Sequence, residues 1–240
     1  MDKNNPQTRI LLKLSGESFN SGSPDKIFSP IAIEHLVSQL NELYQQHYQI
    51  GIVVGGGNIF RGKDGLAHHI DNQAGDFIGM MATVINGLTL HQFLKQVQLP
   101  SKVYSALNIE GLTNSINYEQ INEDIKHSIL IFTAGVGEPN FSTDSGAALR
   151  AIELHCDLLL MGKNGVDGVY DQDPNQYPQA KFYQNLSFLE AISKNLKVMD
   201  LTAFALCQQA KLEIRVFNIN LPHAIVDVLN DQIKYTKIKD

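Results

Sequence analysis

The chain has 240 residues, 43% hydrophobic and 18% charged, enough apolar material for a core and not the composition of a disordered chain. Its formal net charge of −6 excludes a basic nucleic-acid sheath, so no nucleic-acid partner is expected. A phosphate site must then concentrate a few cations and backbone N–H groups on one spot, and the only arginines are Arg9, Arg61, Arg150 and Arg215.

The first eight residues are polar and carry no apolar signal region. No continuous apolar run of about 18 residues occurs, so a cytoplasmic chain without a membrane span is expected. Arg9–Leu14 reads as a strand ending in Ser-Gly. Pro30–Tyr48 has helical apolar spacing (Ile33, Leu36, Val37, Leu40, Leu43, Tyr44), with Ser29 as its cap. Gln49–Val54 is a strand that stops at three glycines. A long helix is predicted over 76–94, strands over 102–105 and 128–133, and a helix capped by Thr143 or Asp144 that runs to about Cys156. A strand over 158–161 leads to the turn-rich 162–168. Helices near 187–194 and 200–210, a strand over 213–217 and a helix over 222–229 complete the order. Such β–α alternation predicts a three-layer α/β/α sandwich around a central, mainly parallel sheet, with ligands beyond the carboxyl ends of the strands. Cys156 and Cys207 read as buried free thiols in apolar helical surroundings. His68 and His69 are adjacent, a poor ligand geometry, and no metal site is expected.

Four clusters carry chemistry. Gly55-Gly56-Gly57-Asn58 follows a strand, and its backbone can approach a phosphate, with Arg61 four residues after Gly57 able to fork onto phosphate oxygens. Gly57 to Gly62-Lys63 imitates a P-loop, but Asp64 stands where Ser or Thr must hold magnesium, so Lys63 reads as a solvated loop lysine. Lys13-Leu14-Ser15-Gly16-Glu17 puts a lysine at a strand end, where it can neutralise phosphate charge. In the stretch from Thr133 to Asp144, Asp144 reads either as a helix cap or as a group orienting catalytic lysines. Lys163 to Pro174 is rich in turn formers, and its Tyr170 suits either a core or a base.

Together these clusters resemble the amino acid kinase superfamily, and within it the bacterial UMP kinases. The resemblance spans about Arg9 to Val228. It is carried by Lys13 to Glu17, Gly55 to Gly62, Gly79 to Asn86, Ser142 to Ser145, Val166 to Tyr170, Lys197 to Leu201 and Ile214 to Asn218. It implies transfer of a phosphoryl group from ATP to UMP, giving ADP and UDP, with Mg2+ bound mainly through the ATP phosphates. It implies a single domain over 1–240, with 9–155 mainly the UMP-binding lobe and 156–240 mainly the ATP-binding lobe. Lys13, Leu14, Ser15 and Gly16 match the ATP-phosphate segment, and Gly57 and Arg61 match residues at the phosphates between the nucleotides. Asn164, Tyr170 and Asp173 match ATP nucleoside contacts. Gly56 and Asp76 match UMP contacts. Val136, Gly137, Glu138, Pro139, Asn140, Phe141, Ser142 and Thr143 match the uridine segment. Lys13, Arg61 and Asp144 carry the catalytic expectation. A homohexamer is implied, with the helix over 79–94 a candidate interface. UTP inhibition and GTP activation are the regulation the resemblance brings, the latter in the region of His91, Gln92 and Lys102. The chain departs from the pattern at Gln73, where an Arg is frequent, and at Asn140-Phe141, where an aromatic pair is usual.

Two rivals remain open. An amino-acid or carbamate kinase of the same superfamily is disfavoured by Phe60-Arg61-Gly62, by Asp76 and by the lack of a long insertion. A non-catalytic nucleotide sensor is disfavoured by Lys13, Asp144 and Asp173.

Overall fold

The computed structural model describes residues 8–20, 26–61, 69–196 and 198–240. The strands are β1 Arg9–Leu14, β2 Gln49–Val54, β3 Ser101–Ser105, β4 Asn114–Ser115, β5 Ile129–Thr133, β6 Leu158–Lys163, β7 Val169–Tyr170, β8 Phe182–Tyr183, β9 Asn185–Leu186, β10 Glu213–Asn218 and β11 Tyr235–Ile238. The helices are α1 Pro30–Gln45, α2 Asn72–Gln96, α3 Tyr118–Asp124, α4 Thr143–Glu153, α5 Phe188–Ser193, α6 Leu201–Gln209 and α7 Ala224–Leu229. A 3₁₀ turn, Gly16–Phe19, follows β1.

Among the described residues, nine strands form one sheet in the order β4-β3-β5-β2-β1-β6-β10-β11-β9, in which the β10–β11 pairing is antiparallel and the others are parallel. Strands alternate their side chains between faces, and β1 divides the core accordingly. Ile10, Leu12 and Leu14 face α1, α2 and α7, while Leu11 faces α3, α4, α5 and α6. Truncating the fully buried Leu11 to Ala would cost about 2–5 kcal/mol. The expected three-layer sandwich with a mainly parallel sheet is what forms. β7 and β8 pair separately as a small antiparallel ribbon.

Some boundaries differ from expectation, for local reasons. α2 begins at Asn72 because the Asp71 side chain accepts from the Gln73 and Ala74 amides. The cap of α4 is neither Thr143 nor Asp144 but Ser142, whose Oγ accepts from the Asp144 and Ser145 amides at 3.0 and 3.1 Å. α4 ends at Glu153, and His155 is left-handed (φ 51°), so Cys156 lies outside any helix. Cys207 is in α6, where burial pushes its thiol up to about 12. α2 is long and apolar enough to cross a membrane by length and composition alone. Its inner face buries Met80, Val84, Leu90 and Leu94, while Phe77, Ile78, Met81 and Ile85 are exposed.

β1 has β2 on one side and β6 on the other. The chain first builds outward from β1 through β2, then returns to place β6 and β10 on the opposite flank, so β1/β6 is the topological switch point where open α/β sheets bind ligands. Leu14 pairs with Val54 and Lys13 with Met161, which brings the loops after β1, β2 and β6 together at one edge.

Candidate functional site

Lys13 leaves β1 on the same face as Leu11. Asp144 lies on the stripe of α4 that includes Ala147, Ala148 and Ala151, and this stripe packs on the sheet. The small residues let α4 approach closely. Lys13 Nζ therefore meets Asp144 Oδ1 at 2.8 Å, with only 12% and 17% of the two side chains exposed. Since Ser142 supplies the cap, the Asp144 carboxylate is free for this pair. Of the two readings of Asp144, the geometry favours orientation of a lysine.

A second lysine joins them. Lys163 ends β6 and donates to the Val198 carbonyl at 2.7 Å. Burial pushes its ammonium below the usual lysine value; Asp144 opposes the shift and the charge of Lys13 adds to it. Asp200 fixes the base of α4. It accepts from Ser142 Oγ, from Ser145 Oγ at 3.0 Å and from the Ala203 amide at 3.0 Å, so one carboxylate ties the starts of α4 and α6 together. Burial pushes the Asp200 carboxyl up, but these hydrogen bonds outweigh it and hold the group below the usual carboxylate range.

The three glycines after β2 are not equivalent. A Cβ on Gly56 would lie 2.8 Å from both Ala82 Cβ and the Gly79 carbonyl, so the close packing of α2 alone requires glycine there. A Cβ on Gly57 would meet only Arg61 Nε, at 4.0 Å, which leaves its surface open to a ligand. Asn86 is fully buried in α2 and holds the loop, donating to the Gly55 carbonyl and to Asn58 Oδ1, each at 2.7 Å. Arg61 Nε donates to the Gly57 carbonyl at 2.9 Å, and its NH2 donates to Glu17.

On one flank, Asp76 in the first turns of α2 accepts from the Asn140 amide at 2.7 Å, which pins the loop after β5. That loop carries Val136 to Thr143. Gly137 (φ 89°) and the left-handed Asn140 shape it, and Phe141 projects to solvent. Ser142 is engaged with Asp200 and the α4 amides. On the other flank, Asn164 Nδ2 donates to Ser15 Oγ at 2.8 Å and to Glu17 Oε2 at 2.7 Å, while its buried Oδ1 has no partner. Tyr170 packs edge-on against Phe182 at 5.3 Å, under the ammonium of Lys234. Asp173 accepts from the Asn175 amide and from Gln176 within its own turn, and among the described residues no hydrogen bond joins it or Tyr170 to Asn164. The ribbon is anchored to β11 instead, where Thr236 Oγ1 accepts from the Val169 amide at 2.8 Å.

The structure thus unites Lys13, Leu14, Ser15, Gly16, Gly57, Arg61, Asp144 and Asn164 at one edge, with Asp76 and Asn140 on one flank. Glu17, Asn86, Lys163 and Asp200 escaped the sequence reading, although each lies in or beside a cluster singled out there. Lys63, Asp64 and His68 lie outside the described residues. Among those described, no group of three or more His, Cys, Asp or Glu residues could hold a metal ion.

Residues 8–218 match the model of the amino acid kinase family. The chain is 44% identical to the uridylate kinase of Mycoplasma pneumoniae over 233 residues, 96% of this chain and 98% of that protein. It is 39% identical to the uridylate kinase of Coxiella burnetii over 239 residues, 98% of each. The crystal structure of UMP kinase from Ureaplasma parvum superposes with a TM-score of 0.94 at 43% identity, covering 98% of this chain and all of that one. That of UMP kinase from Bacillus anthracis gives 0.90 at 30% identity, covering 98% and 97%.

Proposed function

The chain belongs to the amino acid kinase family, in its uridylate kinase branch, and we infer that it transfers the γ-phosphoryl group of ATP to UMP, giving ADP and UDP for pyrimidine nucleotide synthesis. The observation that carries this reading in the site itself is the Lys13–Asp144 pair, at 2.8 Å, on the strand edge that also carries the open Gly57.

Phosphoryl transfer asks a protein for alignment and charge dispersal rather than covalent chemistry. Lys13 supplies positive charge to the transferring group, and Asp144 holds that ammonium in place. UMP presents an oxygen that is already anionic, so no general base is required. Lys163, with its lowered proton affinity, is a second donor at the same place. Gly57 offers its backbone to the phosphates and Arg61 its fork. Gly56, Asp76 and residues Val136 to Thr143 form the acceptor side within 9–155. Asn164, Tyr170 and Asp173 belong to the donor side within 156–240, where the unpartnered Asn164 Oδ1 suits a nucleoside donor group.

Mg2+ would enter as the MgATP complex, bound by phosphate oxygens and water. The ion neutralises phosphate charge. The exposed stripe of Phe77, Ile78, Met81 and Ile85 suits burial against a second copy within a homohexamer, and accounts for the apolar character of α2 without a membrane. The protein acts in the cytoplasm, with UTP as a candidate inhibitor.

The test is ADP release by purified protein across UMP, CMP, dUMP, glutamate, acetylglutamate, aspartate and carbamate. Activity with UMP is expected. Activity confined to an amino acid or carbamate would overturn the reading, and nucleotide binding without ADP would make the chain a sensor.

A further inference from the structure

The guanidinium of Arg61 is held by contacts within the protein. A guanidinium has five N–H donors in one plane. Nε is taken by the Gly57 carbonyl and one donor of NH2 by Glu17 Oε1. The remaining N–H groups, on NH1 and the outer edge of NH2, meet no acceptor among the described residues. Those groups form a fork of the kind that takes two oxygens of one phosphate. Two contacts therefore fix both the place and the roll of the side chain.

Glu17 itself has little freedom. It sits in the 3₁₀ turn after β1, next to Gly16, whose missing Cβ would lie 2.4 Å from Asn58 Oδ1 and 2.5 Å from the Gly57 amide nitrogen. The turn that carries Glu17 is thus seated on the loop that leads to Arg61. The second oxygen, Oε2, accepts from Asn164 Nδ2 at 2.7 Å. The same Asn164 keeps a buried, unpartnered Oδ1. A buried acceptor without a donor is rare and points to a ligand group that completes it. Arg61, Glu17 and Asn164 therefore form a continuous polar chain from the loop after β2 to the exit of β6.

We propose that Glu17 is a positioning residue: it presents the Arg61 fork to phosphate and, through Asn164, couples that placement to occupancy of the donor-nucleotide side. The proposal rests on the UMP-kinase reading of the site. A competing role is a place-holder, a carboxylate that occupies Arg61 until phosphate displaces it. The two roles differ in sign. Loss of a place-holder tightens nucleotide binding, whereas loss of a positioning group slows turnover without tightening it.

The experiment uses the full chain and compares wild type, Glu17→Gln, Arg61→Lys and the double variant. Glu17→Gln keeps the length and an acceptor oxygen but removes the charge. Steady-state ADP release with UMP and MgATP is expected to lose about tenfold in kcat in Glu17→Gln, the scale of a modest misplacement, with no fall in the UMP KM. The double variant should be within about twofold of Arg61→Lys alone, because both changes act through one guanidinium. Calorimetric binding of UMP with and without a non-hydrolysable ATP analogue should show coupling in wild type that Glu17→Gln abolishes. Thermal midpoints identify a folding defect, and in that case Glu17→Asp, which keeps the charge but shortens the reach, takes its place with the same expected loss. Unchanged kcat, a lowered UMP KM, or losses that multiply in the double variant would overturn the proposal. If wild type released no ADP with UMP, the reaction would fall, and the binding measurements alone would decide the role of Glu17: non-additive losses of nucleotide affinity support it and independent ones overturn it.

Discussion

Two ion pairs flank the proposed phosphate seam, and their surroundings differ. Lys13–Asp144 has side-chain exposures of 12% and 17%, whereas Arg61–Glu17 has 44% and 36%. The first is built into the sandwich: one partner extends from the central strand and the other from a helix whose small residues press it onto the sheet. The second joins two loops. Removing one partner of a fully buried pair costs about 3–5 kcal/mol, and an exposed pair contributes about 0–1 kcal/mol; Lys13–Asp144, largely shielded and with Lys163 also acting on Asp144, falls between them. The buried pair thus bears on both stability and chemistry. The exposed pair is read through geometry and kinetics, with little change in folding.

The largest break in this comparison is Lys13→Ala. We expect kcat to fall by about 10²–10³, the scale for removing one group that stabilises transition-state charge. The thermal midpoint should fall as well, so rates must be taken well below it. Near-wild-type turnover would remove Lys13 from the chemistry. Asp144→Asn keeps the shape and deletes the charge, and should cost about 10² in kcat by releasing the ammonium it orients. An unchanged kcat would return Asp144 to a purely structural role.

These two residues also mark how far sequence reading reached. β1, β2, β5 and β6 are short, apolar and buried, and their runs were legible without a fold. The glycine loop and the strand-end lysine were legible because each belongs to a local pattern. The pairing of Lys13 with Asp144, 131 positions apart, has no local signal: the sequence offered Asp144 only as a cap or as a group orienting lysines, and the partner emerges once α4 packs on β1. Glu17 and Lys163 read only as members of turn-rich segments, because their meaning depends on what lies across the seam. Asn86 is a lone polar residue inside a long helix, and only its burial against the Gly55 carbonyl explains it. α3, the two-residue strands of the ribbon and the four-residue β11 carry too little periodic signal to stand out from loops.

Asp76 sharpens the comparison on the acceptor flank. It contacts the loop after β5 rather than either ion pair, so Asp76→Asn should raise the UMP KM by about tenfold with little change in kcat, the signature of lost uniform binding. An equal loss in kcat would assign it to the reacting centre instead.

Lys163 runs the other way. Its folded-state proton affinity lies below that of the unfolded chain, so at neutral pH the charged form opposes folding. Lys163→Met should therefore slow turnover yet raise the thermal midpoint at neutral pH. The sign fixes the pH dependence. For a lysine with a depressed folded pKa, the unfolded chain binds more protons between the folded value and 10.5, so wild-type stability gains as pH rises through that window. The advantage of the variant should narrow there. An advantage independent of pH would assign it to packing alone.

The smallest expected effect separates the two pairs by salt. Exposed charges are screened within about 10 Å at 0.1 M ionic strength and within about 3 Å at 1 M, while buried pairs are screened much less. Raising ionic strength from about 0.05 to about 0.5 M should increase the UMP KM a few-fold in wild type, and part of that slope belongs to Arg61 because its guanidinium is open to solvent. Arg61→Met should start from a weaker KM and lose that part of the slope. The kcat ratio of Lys13→Ala to wild type should stay constant over the same range, since the pair it breaks is largely shielded from ions. Equal salt dependence of the two effects would mean that solvent reaches Lys13 as freely as Arg61. The division of the seam into a shielded cation and a solvent-exposed one would then fail.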